Sequence, residues 1–165
     1  MKRHVLLTST VFAAIIAASA YGWYWHAYSG FSARIRWQGT KACANRQPCV
    51  FSLADVFPGD WDRLFIFDMS ASQDEIDHAL GQRVAKPDLQ RLVVFMQGSK
   101  VTRIITESEA VEHPEGHEAI FEHIASEQNH WLIYRNWNFV MAAGTESCES
   151  CITLMYLRPG ERPPI

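Results

Sequence analysis

The stretch GDWDRLFIFD, residues 59–68, decides the fold because its second half is apolar on both faces of an extended chain. Side chains of a β-strand alternate between its two faces. Residues 64–67 contain no polar position, so a strand here needs cover on both sides. The acids Asp60, Asp62 and Asp68 stand at its two ends, where water is accessible. The stretch therefore predicts a core strand of a sheet with solvated ends.

The polar end of the same stretch has a second, functional interpretation. Asp60 and Asp62 flank Trp61, and tryptophan is enriched at the energetic centres of protein interfaces. An exposed Trp61 would form an acidic patch with them that contacts a partner. Any acidic strand end places two carboxylates on one face at about 6.5–7 Å, so the pair does not by itself indicate carboxylate catalysis.

Periodicity predicts further elements on both sides of this strand. Residues 31–37, FSARIRW, alternate between apolar and polar and predict a half-buried strand. Residues 72–81, SQDEIDHALG, have the spacing of a capping box and end in glycine, which predicts a helix. Residues 91–106 predict a hairpin whose two-residue turn is Gly98–Ser99.

The C-terminal half predicts a second helix and three more strands. Residues 117–128, HEAIFEHIASEQ, place Ile120, Phe121 and Ile124 on one side of a helix. The segments WLIYR, NFVMAAG and CITLMYL predict a β-meander, and residues 159–165 a Pro-rich tail outside the sheet. Strands without intervening helices pair antiparallel. We therefore expect one α+β domain over residues 29–158, with a single antiparallel sheet of about five to seven strands and two helices.

Residues 1–28 predict a signal peptide or a transmembrane signal anchor. Lys2 and Arg3 precede an uncharged segment, residues 5–25, that as a helix is long enough to cross a bilayer core. The small residues before Tyr21 favour cleavage after Ala20, whereas the aromatic residues from Tyr21 to Tyr28 favour an uncleaved anchor. Both interpretations place the domain in the cell envelope on the periplasmic side, either anchored in the inner membrane or released.

The segment around the core strand resembles a known group of proteins. It reads LADVFPGDWDRLFIF from Leu53, continues through the capped helix that ends in ALG, and closes with LVVFMQGSKV at Val101. This pattern, about a third of the chain, resembles small exported or lipid-anchored bacterial proteins of unknown function. The resemblance implies export and brings no activity with it. No cysteine precedes Cys43, so the lipid-carrying cysteine of some of these proteins is absent.

Four cysteines fit an oxidising compartment. Cys43 and Cys49 are spaced C-x5-C, and Cys148 and Cys151 are spaced C-x2-C. An even number in an exported chain predicts disulfides, and local pairing within each motif is the simplest arrangement. Cross-pairing stays open because four cysteines allow three connectivities. A redox-active CxxC requires a helix after its first thiol, whereas β-favouring residues follow here.

A histidine cluster is the candidate metal site. His113, His117, His123 and His130 fall within eighteen residues, and imidazole binds zinc or copper when three or four ligands converge. Pro114 lies between the first two, and the next spacing is six, which puts the rings on different sides of a helix. We therefore expect solvated histidines and no cofactor, and keep metal binding as the alternative.

Composition and missing motifs favour binding over catalysis. The net charge of −3, which becomes −5 if Lys2 and Arg3 are removed, gives no basic excess for nucleic acid. Neither G-x-S-x-G nor H-E-x-x-H occurs. We expect a non-enzymatic envelope protein that binds another protein, with an immunity-type inhibitor of an envelope-active toxin as the sharpest form. The alternative is a periplasmic metal-binding or thiol-redox protein that uses the histidines with Cys148 and Cys151. The predicted partner-binding residues are Asp60, Trp61, Asp62, Trp131, Tyr134, Arg135 and Trp137.

Overall fold

The computed structural model describes an α+β fold in which two four-stranded sheets share a hydrophobic core. The description covers residues 15–19, 30–43, 49–108, 119–122, 129–145 and 148–161. The elements from residue 30 onward are, in chain order, α1 (Phe31–Cys43), β1 (Cys49–Ser52), α2 (Leu53–Val56), β2 (Arg63–Phe67), α3 (Gln73–Leu80), β3 (Gln90–Gln97), β4 (Lys100–Ser108), β5 (Ala119–Glu122), β6 (His130–Tyr134), β7 (Asn138–Thr145) and β8 (Cys148–Leu157).

The strands form two sheets, and the expectation of a single sheet is wrong. One sheet has the order β4-β3-β2-β6, and the other has the order β1-β7-β8-β5. All pairs are antiparallel except β5 with β8, which is parallel. The three C-terminal strands are therefore not a meander, because β6 pairs with β2 while β7 pairs with β1 and β8. The short connection at residues 135–137 carries the chain from one sheet to the other. Apolar residues of both sheets then form one core cluster.

Strand β2 is the central core strand that the sequence predicts. It lies between β3 and β6, and residues 64–67 are all at most 5% exposed. Leu64 and Ile66 face the core between the two sheets. Phe65 and Phe67 face a second cluster, which includes Ile76 of helix α3. Each face of β2 is therefore covered by a different layer of the protein.

Helix α3 has the ends that its sequence predicts. The Ser72 side chain accepts a hydrogen bond from the Glu75 backbone, and the Glu75 carboxylate accepts one from the Ser72 backbone at 2.7 Å. Gly81 ends the helix in the left-handed conformation, with φ of 66°. The apolar side of α3, with Ile76 and Leu80 buried, covers the outer face of the β2 sheet.

The capping box gives a direct prediction for stability. Ser72→Ala should lower the free energy of unfolding by about 1 kcal/mol, because the first turn of α3 loses a side-chain acceptor. Denaturant unfolding of the purified chain measures this change. Gln82→Ala is the matched control beyond the helix, since Gln82 is exposed and its side chain donates to the Ser99 carbonyl. Equal losses in the two variants would contradict the role of the cap.

The contribution of this cap to the free energy of unfolding should depend on pH. Hydrogen bonds from Ser72, the backbone N–H first, hold the pKa of Glu75 below its usual 4.5. A lowered pKa in the folded state gives stability that is complete above the unfolded pKa and is lost as the pH falls through the folded value. The stability difference between the wild type and Glu75→Gln should therefore shrink below about pH 4.5. A constant difference across an acid titration would show that the charge of Glu75 does not contribute.

The predicted hairpin is confirmed and carries a bulge. Gly98 takes a φ of 57° in the turn between β3 and β4, a conformation that glycine adopts without strain. Phe95 pairs with Arg103 and Met96 pairs with Val101, so Thr102 is the extra residue. A bulge bends its strand and redirects the side chains beside it. Thr102 and Arg103 thereby reach the pocket described below.

Residues 31–37 form a helix, so the predicted half-buried strand is wrong. They begin α1, in which Phe31 and Ile35 are both fully buried. These two residues are four apart and lie on one side of a helix, whereas Trp37 is 51% exposed. A segment of only seven residues can fit both the helical period and the strand period, so contacts with distant residues determine which structure forms. Here the Phe31 ring stacks on Phe57 at 5.0 Å, which fixes α1 against the core.

The predicted helix over residues 117–128 is also contradicted. Residues 119–122 form strand β5, which pairs in parallel with residues 152–155 of β8, and the rest of the segment lies outside the described residues. Ala119 is 2% exposed, and Phe121, two residues on, packs against Phe139 with the ring centroids 5.8 Å apart. Side chains two apart share one face of a strand. The free edge of β8 therefore determines the conformation of this short apolar segment.

The two ends of the chain are described only in part. Residues 15–19 are helical with Ile15 and Ile16 exposed, and the remainder of the predicted signal or anchor segment lies outside the described residues. None of the helices in the described ranges is long and apolar enough to cross a membrane. At the other end, β8 stops at Leu157, and residues 158–161 form a turn in which Glu161 N–H donates to the Arg158 carbonyl at 3.0 Å.

Candidate functional site

The turn that leads into β2 is the centre of the candidate site. Trp61 is only 4% exposed, and its Nε1–H donates to the Phe57 carbonyl at 2.7 Å. Its ring meets Phe95 edge-on, with the centroids 5.4 Å apart. The interpretation that required an exposed Trp61 is therefore wrong, because the preceding turn folds the indole back into the core. Trp61 therefore lies in the core beneath this surface and is not an exposed contact residue.

The two acids beside Trp61 have different roles. Asp60 is exposed on the rim of a pocket. Asp62 is also exposed, but its Oδ2 accepts a hydrogen bond from the Gly98 N–H at 2.6 Å, and its own N–H donates to the Met96 carbonyl at 2.8 Å. Asp62 therefore ties the start of β2 to the hairpin turn. Asp60 is left free to contact a ligand.

Arg135 joins the two segments that the sequence singles out. Its guanidinium lies over the Trp61 ring, 5.4 Å from the centroid, and donates to the carbonyls of Gly59 and Trp61. Its backbone N–H donates to the Asp62 carbonyl at 2.9 Å. Residues 59–62 and 134–137 are far apart in sequence, yet these contacts make them one surface.

An aromatic row continues from this contact. The Trp137 ring lies 5.5 Å from Tyr134 and 4.3 Å from Tyr156, measured between centroids. Tyr134 is 44% exposed, and the other two rings are half-buried. Trp131, which like Trp137 and Tyr156 packs against the core between the sheets, makes no ring contact with this row among the described residues. We call Asp60, Tyr134, Arg135, Trp137 and Tyr156 the aromatic–arginine face.

A pocket of about 120 Å³ opens beside Asp60. Phe57, Trp61 and Phe95 supply its apolar wall, and Thr102 and Arg103 line it from the bulge of β4. The Arg103 guanidinium lies 5.7 Å from the ring centroids of both Phe57 and Phe95. Burial, and then repulsion from Arg34 of α1, lowers the pKa of Arg103.

Arg103 is the functional candidate that the sequence analysis missed. Polar and apolar residues do not alternate strictly within KVTRIIT, and nothing in this segment signals a pocket at Arg103. The bulge at Thr102 and the rings from two distant segments create its environment. An arginine in an otherwise β-branched strand directly after a predicted hairpin turn was the available signal, and it is weak.

A buried carboxylate forms a second polar centre. Glu107 of β4 is 1% exposed and accepts hydrogen bonds from the Ser32 N–H at 2.5 Å and the Ser32 hydroxyl at 3.0 Å. Arg91, across the strand pair, approaches the same carboxylate at 3.6 Å. These contacts hold α1 against the β3–β4 hairpin, so the role of Glu107 is structural.

The predicted metal and thiol residues are only partly described. His130 lies on β6, and its ring packs 5.2 Å from that of Phe67. His113, His117 and His123 lie outside the described residues, and the part of the chain that is described contains no group of three potential metal ligands. Cys49 is disulfide-bonded and 5% exposed, and none of the described cysteines is free. The pairing of Cys43, Cys148 and Cys151 stays a prediction.

The fold and the site define an α+β protein with two mainly antiparallel sheets and a small pocket whose lining includes both Asp60 and Arg103. Comparison with protein-family models, curated proteins and solved structures gave no match.

Proposed function

We propose that this protein binds another protein through the aromatic–arginine face. The observation that carries the proposal is the contact of Arg135 with Trp61 and Gly59, which joins the turn before β2 to the segment that carries Tyr134 and Trp137. Tyrosine, tryptophan and arginine are the residues enriched at binding hot spots. The face combines all three with an acid on its rim.

Rigidity of the face supports this role. Arg135 is held by two backbone carbonyls and by the Trp61 ring, and its peptide is fixed to Asp62. Trp137 is held between Tyr134 and Tyr156. Side chains that are ordered before binding lose little conformational freedom in the complex, so more of the contact energy appears as affinity.

The cell envelope is the proposed location. The basic residues Lys2 and Arg3, the uncharged segment after them and the disulfide-bonded Cys49 support export. The resemblance of residues 53–101 to small exported bacterial proteins agrees with this. The narrower form of the proposal is an immunity-type inhibitor of a toxin that acts in the envelope. Small size, acidic net charge and the absence of a known catalytic motif support that form.

Site-specific photo-crosslinking tests the proposal. A photoreactive phenylalanine analogue in place of Tyr134, in the full chain expressed in its native cell, should give one discrete cross-linked protein. The same analogue in place of Leu89, which is 80% exposed and lies in the loop after α3, is the matched control and should not give that product. Identical products from both positions would contradict a specific face.

The affinity of the purified complex measures how much the aromatic–arginine face contributes to binding. Tyr134→Ala should weaken the purified complex at least tenfold, as expected for an interface anchor that contributes about 2 kcal/mol. Its melting temperature should stay close to that of Leu89→Ala, because Tyr134 is a largely exposed side chain. An affinity for the partner that is unchanged in Tyr134→Ala would contradict the proposed binding face.

A further inference from the structure

Helix α1 carries a local concentration of positive charge. Its thirteen residues, FSARIRWQGTKAC, include Arg34, Arg36 and Lys41 and no acidic residue. The chain as a whole has a net charge of −3, so the positive charge belongs to this helix and not to the protein in general. Glu107, which accepts hydrogen bonds from the start of α1, is 1% exposed and ion-paired with Arg91. The charge of α1 therefore suits an anionic partner.

Three side chains form a surface along one side of α1. Arg34, Trp37 and Lys41 are spaced three and four residues apart, which places them on the same side of a helix. Trp37 is 51% exposed, Lys41 is exposed and Arg34 is half-buried. Ile35 is fully buried in the core between the sheets and anchors a different side of the helix. We call Arg34, Trp37 and Lys41 the basic face of α1.

The basic face follows closely after the predicted membrane segment. That segment comprises the uncharged residues 5–25 and the aromatic residues up to Tyr28, and α1 begins at Phe31. The chain from Tyr28 to Phe31 spans at most about 11 Å, close to the distance of about 10 Å over which charges interact at 0.1 M salt. A retained anchor would therefore keep the start of α1 within electrostatic reach of the lipid headgroups.

We propose that the basic face of α1 docks on an anionic phospholipid surface, that of the membrane in which the predicted anchor lies. Arg34 and Lys41 match the phosphates of the headgroups, and each basic residue close to an anionic bilayer favours binding about fivefold. Trp37 supplies a ring of the type that is enriched at the level of the headgroups. At thirteen residues α1 is too short to span a bilayer, so the contact is one with the surface.

This inference rests on the proposed location in the cell envelope with the anchor retained, and it is independent of the aromatic–arginine face. It goes beyond the proposed function because it assigns a second surface to a second kind of partner. Helix α1 packs on the core between the sheets, whereas α3 covers the outer face of the β2 sheet. Docking through α1 would therefore leave α3 facing away from the lipid.

Photo-crosslinking of the full chain in lipid vesicles tests the docking. A photoreactive phenylalanine analogue in place of Trp37 should form phospholipid adducts in vesicles of phosphatidylcholine that contain phosphatidylglycerol. The adduct yield, measured by mass spectrometry, should fall at least about fivefold in vesicles of phosphatidylcholine alone. The same analogue in place of His78, which is exposed on α3, is the matched control and should give no lipid adduct. Equal yields from the two lipid mixtures, or from the two positions, would overturn the proposal.

Two charge variants separate the basic face from the charge of the whole chain. With the analogue at position 37, Lys41→Gln should lower the adduct yield in the anionic vesicles about fivefold. Arg83→Gln removes the same charge from an exposed position after α3 and should leave the yield unchanged. Both variants should melt like the wild type, because both side chains are exposed. An unchanged yield in Lys41→Gln, or an equal fall in both variants, would overturn the assignment.

The native cell distinguishes a lipid surface from a protein partner. The analogue at position 37 should give phospholipid adducts there, whereas the analogue at Tyr134 should give the discrete cross-linked protein of the proposed function. A protein product at position 37 would overturn the membrane assignment. Recovery of the chain without residues 1–20 from the soluble periplasmic fraction would also overturn it, because the tether to the membrane would be lost. Either result leaves the crosslinking test at Tyr134 unaffected.

Discussion

Phe65→Ala should lower the free energy of unfolding by about 3–5 kcal/mol, the usual range for removal of a buried aromatic side chain. Phe65 is 5% exposed on the central strand, and its ring stacks on Phe67 with the centroids 6.0 Å apart. His130 and the Arg63 guanidinium each lie 5.9 Å from the same ring centroid. The loss is a large part of the roughly 5–15 kcal/mol that stabilises a typical domain, so soluble yield should fall sharply.

Asp60→Ala is the control for this prediction. Asp60 is exposed in the turn before the same strand, so the change should stay within about 0.5 kcal/mol. Urea unfolding of purified protein compares the two variants, with Phe65→Leu as a milder substitution where Phe65→Ala does not fold. If Phe65→Leu and Asp60→Ala lose equal stability, burial of β2 on both faces is contradicted.

Glu107→Ala should be as damaging, with a loss of about 3–5 kcal/mol, because removal of one member of a buried ion pair is strongly destabilising. Ser32 would lose the acceptor of both its hydrogen bonds, and Arg91, whose side chain is 14% exposed, would lose its carboxylate. Since Ser32 lies 75 residues away in the sequence, the variant should also loosen α1 from the hairpin. Hydrogen exchange of the α1 amides, measured together with urea unfolding, reports both effects.

Two variants keep this prediction testable. Glu107→Gln retains the shape and one acceptor oxygen, so it should lose less stability than Glu107→Ala. Glu161→Ala removes an exposed carboxylate from the C-terminal turn and should leave α1 protection unchanged. If Glu107→Ala unfolds like Glu161→Ala, the buried pair does not hold the helix.

The residue types of the candidate site could be predicted from the sequence, but their arrangement in space could not. The polar–aromatic mixture at residues 129–138 indicates an interface, and the structure exposes Tyr134 within it. The acids before β2 are exposed as expected, but Asp62 serves the hairpin turn and Trp61 is buried. Arg103 escaped sequence analysis because its neighbours Phe57 and Phe95 come from other elements.

The sequence by itself determined the elements that are specified by local interactions. The capping box at Ser72 and Glu75, the glycine turn at Gly98 and the apolar run of β2 each involve residues close in the chain, and each is present. The cap and the turn depend on hydrogen bonds and backbone preferences within a few residues. The four consecutive apolar residues of β2 indicate burial on both faces, although its strand partners are distant in sequence.

Only the tertiary structure decided the segments whose local signals are balanced. Residues 31–37 fit either period, and the Phe57 ring together with Glu107 selects the helix. Residues 119–122 become a strand because β8 offers an edge with unpaired backbone groups. The division into two sheets follows the same rule, since β6 and β7 are neighbours in sequence but find partners from different parts of the chain. Burial of apolar area and pairing of backbone groups are properties of the assembled chain, and here they outweigh local propensity.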